Sequence, residues 1–162
     1  MPRDVVLQIG QKTEELDLTS NHISDLRFLI DFPKLTTIIL DHNCIHCHVK
    51  VPPMLGLHTM WLNHNRVKNL SVFISTISKN CPNLRYLSMM NNPAAPSYFN
   101  GGNVHQFKDY RYYVVSNLPK LEVLDDRPVS REERNHAEQM YGRQITVEEK
   151  KAIRRKKSKA TS

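Results

Sequence analysis

The chain has 162 residues, 40% hydrophobic and 24% charged, with a formal net charge of +7; this is the size of a single domain with enough apolar material for a core. No run approaches the ~18 apolar residues of a membrane span, and Met1-Pro2-Arg3-Asp4 opens no apolar signal segment. Three cysteines, Cys44, Cys47 and Cys81, are too few and odd in number for a secreted disulfide framework, so the chain reads as soluble and cytoplasmic, with the nucleus as the alternative.

In chain order, Val5, Val6, Leu7 and Ile9 predict a short edge strand that caps the open end of the first repeat. The repeat itself begins at Leu16. Leu16-x-Leu18-x-x-Asn21-x-Ile23 is answered by Leu35-x-x-Ile38-x-Leu40-x-x-Asn43-x-Ile45, then by Leu57-x-x-Met60-x-Leu62-x-x-Asn65-x-Val67, then by Leu84-x-x-Leu87-x-Met89-x-x-Asn92. The asparagines are spaced by 22, 22 and 27 residues. This is the signature of leucine-rich repeats. It predicts an α/β fold: a right-handed solenoid with short parallel strands on a concave face, helical or extended convex connections and a C-terminal helical cap. Each asparagine turns the chain, and its amide bonds the backbone of neighbouring turns.

The convex connections differ. Val51-Pro52-Pro53-Met54 predicts an extended segment, because proline blocks a regular helix. Leu70, Phe73, Ile74 and Ile77 fall at helical spacing and account for the longer last period. Pro93, Pro96 and Asn100-Gly101-Gly102-Asn103 mark a loop. A helix is predicted from near His105 to Asn117, buried along Phe107, Tyr110, Val114 and Leu118. Leu118 to Asp125 then supplies a last strand, and Ser130 with Glu133 forms a capping box for a final helix. Residues 1–142 are read as the repeat domain with its caps.

Residues 143–162 are read as a basic, disordered tail that folds at most transiently over 146–157; they hold eight Lys/Arg against Glu148 and Glu149. Lys150, Lys151, Arg154, Arg155, Lys156 and Lys157 admit three readings: contact with RNA, contact with an acidic membrane surface, or simple solvation. No aromatic residue interleaves that run, so base stacking has no support there.

Period-two alternation also predicts which side chains leave the core. Trp61 lies between Met60 and Leu62, both inward, and so points out. With Ile39, Tyr86 and Met90 it makes an apolar cluster on the strand face, bordered by Asp41 and Asn63. Tryptophan and tyrosine dominate binding hot spots, so these six residues are the candidate partner-binding set. The alternative is that the indole folds onto its neighbours or is covered by the C-terminal segment. His42 and His64 share a column beside Asp41 and read as solvated edge residues. Cys44 and Cys47, with His42, His46 and His48 nearby, are weak metal candidates, because the second half of a zinc site is missing. No nucleophile elbow, phosphate loop or paired carboxylate is evident. The chain is therefore expected to be a non-enzymatic, monomeric binding module that needs no cofactor.

Two segments carry a closer resemblance. Cys81-Pro82-Asn83-Leu84 with Leu87 to Pro93 resembles the last repeat of small intracellular leucine-rich-repeat proteins. Tyr110 to Val115, Leu118 to Leu121, Leu124-Asp125 and Arg131 to Glu138 resemble their C-terminal cap. Within that group the repeat-opening segments Phe32-Pro33-Lys34-Leu35 and Cys81-Pro82-Asn83-Leu84, and the insertion before Tyr110, are most similar to the melanocyte differentiation-associated family. The splicing A-prime family is more distant. The first resemblance implies an adaptor in melanosome or lysosome-related organelle trafficking, with a Rab-type small GTPase or trafficking complex as partner. The second implies a ribonucleoprotein component that holds an RNA-binding protein, its basic tail touching RNA.

Overall fold

The computed structural model describes residues 2–97, 101–142, 154–156 and 158–159. Each repeat contributes a strand of three residues: β1 (Glu15–Asp17), β2 (Thr37–Ile39), β3 (Thr59–Trp61) and β4 (Tyr86–Ser88). They lie parallel in chain order, and β5 (Val123–Leu124) joins them as a fifth parallel strand. The register matches the repeat, Leu16 to Ile38, Ile38 to Met60, Met60 to Leu87 and Leu87 to Leu124. Ile38, Met60, Leu87 and Leu124 point inward and are no more than 1% exposed. Burying such a side chain contributes about 1.5–3 kcal/mol, so the inward column is a main source of stability.

Asparagines lock the turns. The Asn43 carbonyl accepts the N–H groups of Asn21 (3.0 Å) and Ile23 (2.8 Å), while its amide donates to the carbonyls of Leu18 and Leu40. Asn65 accepts from Ile45 N and donates to Leu40 O. Asn92 accepts from Val67 N and donates to Leu62 O and Met89 O. Each amide thus satisfies backbone groups of the preceding repeat that the short strands leave unpaired.

The connections follow their composition. Arg27–Asp31 forms a 3-10 helix that buries Leu29. Residues 51–54 are irregular, as the two prolines require, and Met54 N donates to Asn80 O. The longer third connection forms an α-helix, Leu70–Asn80. It is capped by Asn69, whose side chain accepts from Val72 N, and buries Phe73, Ile74 and Ile77.

The N-terminal segment departs from the expected edge strand. Residues Arg3–Gly10 form helix α1, and the sheet begins at β1; the Leu70–Asn80 helix is accordingly α2. The inward residues of α1, half-buried Val6 and buried Gly10, are one helical turn apart. Gly10 packs so closely on the 3-10 helix that a Cβ there would lie 2.3 Å from Asp31 O. That contact is long-range, and a run of Val and Ile gives no local hint of it.

The C-terminal cap is built from α3 (Val104–Asn117) and α4 (Arg131–Tyr141). Asn103 and Gln106 form a full capping box at the start of α3. At α4 only half of the expected box forms: Ser130 accepts from Glu133 N, but the Glu133 carboxylate turns to Arg111, 2.5 Å away. Arg111 on α3, 4% exposed, also donates to Leu124 O. Between the helices the chain makes a hairpin that the repeat pattern does not contain. Asp125, at φ 58°, reverses it, and β6 (Arg127–Pro128) pairs antiparallel with β5.

Of the basic stretch, Arg154 to Lys156, Ser158 and Lys159 are helical and exposed. The rest of 143–162, with Lys150, Lys151 and Lys157, lies outside the described residues. Among the described residues no helix is long and apolar enough to cross a membrane.

Candidate partner-binding face

Strand alternation puts three columns on the outward side of the sheet. Register pairs Glu15, Thr37, Thr59, Tyr86 and Val123 in the first. Asp17, Ile39, Trp61 and Ser88 pair in the second. Thr19, Asp41, Asn63 and Met90 come two residues further along each strand. Trp61 is 43% exposed and Met90 38%, while Ile39 and Tyr86 are half-buried. The indole therefore faces solvent in the middle of the sheet, and the four apolar residues lie on one face. Arg85 lies over the Tyr86 ring, 5.5 Å from its centroid, and Glu122 holds that guanidinium at 2.8 Å.

Asp41 and Asn63 have a structural task that reading the sequence missed. Asp41 Oδ1 accepts Asn63 N at 2.9 Å, and Asn63 Oδ1 accepts Met90 N at 2.8 Å and the Ser88 hydroxyl at 2.6 Å. These bonds form a second inter-repeat chain, parallel to the asparagine ladder. The visible signal was the pairing of short polar residues at the 22-residue period. Among the described residues, Asp41 Oδ2 has only a 3.4 Å contact to the Asn63 amide.

The rim beyond these columns is unusual in its backbone. Ser20, His42, His64 and Asn91 adopt φ of 60°, 55°, 55° and 59°, a left-handed conformation that short polar side chains tolerate best. His42 and His64 stack with centroids 4.2 Å apart, and Asn91 Nδ2 lies 3.1 Å from His64 Nε2.

At the cap end the face runs into a cleft of about 860 Å³ lined by Met90, Phe107, Arg111, Asp125, Arg127 and Glu133. The Arg127 guanidinium sits 5.3 Å from the Phe107 ring centroid. Burial raises the Asp125 carboxyl above its ordinary range, against the opposing bonds from Met89 N and the Tyr110 hydroxyl. Burial likewise pushes the Tyr110 phenol well up. At the far end, bonds from the Thr19 hydroxyl and N–H hold exposed Asp17 below the usual carboxylate range. Arg111 was legible in principle, since it is four residues after Phe107 and three before Val114 on the buried side.

Cys44 and Cys47 are free, half-buried thiols. Among the described residues no three His, Cys, Asp or Glu side chains gather as a metal would need.

The family model described as Leucine-rich repeat matches residues 9–154. The chain belongs to the leucine-rich-repeat family. Among leucine-rich-repeat relatives, it is 35% identical over 127 residues to the human leucine-rich melanocyte differentiation-associated protein, covering 75% of this chain and 64% of that one. It is 30% identical over 137 residues to the U2 small nuclear ribonucleoprotein A′ of Schizosaccharomyces pombe, covering 80% and 50%. It is 28% identical over 152 residues to the cilia- and flagella-associated protein 410 of Mus musculus, covering 91% and 57%. The chain thus spans about half to two thirds of the length of these relatives. Its fold is similar to a chain in the crystal structure of the Drosophila melanogaster SNF/U2A′ complex, with a TM-score of 0.51, 19% identity, and 95% and 98% of the two chains covered.

Proposed function

We propose that this leucine-rich-repeat protein is a non-enzymatic adaptor that holds a protein partner on its concave strand face. Ile39, Trp61, Tyr86 and Met90 supply the apolar contact, and Asp41 and Asn63 supply its polar border. The supporting observation is Trp61, 43% exposed where the repeat pattern forces it outward. Aromatic residues at the centre of an interface carry much of its binding energy. The likeness to the melanocyte differentiation-associated protein supports a cytoplasmic partner in organelle trafficking, such as a Rab-type small GTPase. Trp61→Ala is expected to weaken partner capture at least about tenfold, as loss of a hot spot does. Its melting temperature should stay near that of the wild type. A large loss of stability with unchanged capture would instead make Trp61 a packing residue.

A second reading is a ribonucleoprotein component, whose concave face holds an RNA-binding protein while the basic stretch contacts RNA. The likeness to the A′ proteins and the exposure of Arg154, Arg155 and Lys156 support it. RNA contact through these cations predicts an RNA affinity that falls steeply with salt and is lost in Arg154→Gln/Arg155→Gln/Lys156→Gln, whereas partner capture on the strand face does not depend on them.

A further inference from the structure

The concave face carries a charge bias that its exposed indole does not require. Glu15 and Asp17 are exposed on β1, and half-buried Asp41 lies just past β2. Along the three outward columns, from 15, 17 and 19 to 123, 88 and 90, there is no Lys or Arg. Residues 1–142 carry fifteen Lys/Arg against fourteen Asp/Glu, close to neutral, so three acids and no base in these columns is a local bias of the face. Arg85, one position before the first column, is occupied: Glu122 bonds it at 2.8 and 3.0 Å, and it lies over Tyr86. Asp17 is kept ionised by its bonds from Thr19, and Asp41 keeps one carboxylate oxygen nearly free. The acidic end thus adjoins the apolar middle, with Ile39 paired in register to both Asp17 and Trp61.

Resting on the adaptor function proposed for this face, we infer that its occupant is a basic amphipathic segment of a protein partner. Its bulky apolar side chains cover Trp61, Ile39 and Met90, and its Lys or Arg residues face Glu15, Asp17 and Asp41. Exposed carboxylates attract little in open water. Docking over the indole excludes water from their surroundings and strengthens the attraction. They also steer encounter and reject acidic segments through like-charge repulsion. The chain's own basic stretch has matching chemistry, but Arg154, Arg155 and Lys156 remain exposed, which favours an occupant from another protein.

A display library of random peptides, selected on the immobilised full chain, supplies the probe. The selected peptides are expected to be cationic with clustered Leu, Phe or Trp. They are then titrated against three variants of the full chain, each checked for an unchanged melting temperature. Glu15→Gln/Asp17→Asn/Asp41→Asn preserves the hydrogen-bond acceptors and should weaken binding about tenfold, mostly through the association rate. Trp61→Ala should abolish it. Neutral or acidic winners, or a triple variant that binds like the wild type while Trp61→Ala does not, would overturn the basic partner and leave the docking face standing. Binding that is indifferent to Trp61→Ala as well would overturn both. In the third variant, Arg154→Gln/Arg155→Gln/Lys156→Gln, peptide affinity should not change. A rise would show the chain's own basic stretch already on the face and overturn an occupant from another protein.

Discussion

At the scale of single residues, the same side chain has very different consequences according to its place in the stack. Asn92 is 1% exposed, and its amide serves Val67 N, Leu62 O and Met89 O. Asn21, at the open end, is exposed and its side chain donates to Thr19 O. Asn92→Ala strands buried backbone groups and is expected to cost about 2–4 kcal/mol by urea unfolding. Asn21→Ala should stay within about 0.5 kcal/mol, as surface changes do. Asp125 gives a pH test. Burial raises its carboxyl in the folded state above the ordinary 3.8. The native state therefore favours the protonated form, and the stability that proton supplies is complete below 3.8. It is lost as pH rises through the native value. Asp125→Asn keeps an acceptor for Met89 N and has no charge to bury. Melting curves of both proteins across pH should show the wild type losing stability relative to the variant as pH rises.

At the scale of elements, the cap is fastened by cations rather than by apolar packing alone. Arg111 ties α3 to Glu133 of α4 and to Leu124 O of β5. Arg134 of α4 donates to Leu121 O at 2.6 Å and Val115 O at 3.1 Å, satisfying carbonyls near the end of α3. The Tyr141 hydroxyl donates to Asp109, closing the far end of the helix pair. Removing one member of a buried ion pair leaves the other uncompensated and costs about 3–5 kcal/mol. Arg111→Ala is expected to show that loss in urea unfolding. Replacing the pair together, as Arg111→Met/Glu133→Leu, should recover much of it, because a desolvated pair gains little over apolar residues of similar volume.

At the scale of the molecule, repeats stacked on shared ladders are expected to unfold together, since each leans on its neighbours. Cys81 reports on this: it is 0% exposed, and burial pushes its thiol up to about 12. Thiolate reagents should label half-buried Cys44 and Cys47 in the native protein and reach Cys81 only at the rate of unfolding, read by mass spectrometry over time. The sequence by itself determined the repeat strands, their register and the outward place of Trp61. A strict period repeats the same local bonds each turn, and alternation assigns every strand side chain to one side. It also fixed α2 and α3, where apolar residues recur at helical spacing. What lacked a period was decided by tertiary contacts. Val5 to Ile9 reads as a strand, yet it is helical where Gly10 meets the backbone of Asp31. Glu133 reads as a cap partner, yet a buried guanidinium that offers a stronger, charge-assisted bond takes its carboxylate. Asp41 and Asn63 read as the polar border of the partner face, and neighbouring repeats also draw them into a ladder that the pattern did not announce. In each case a group distant in the chain offered the more favourable interaction, and only folding brings such groups within reach.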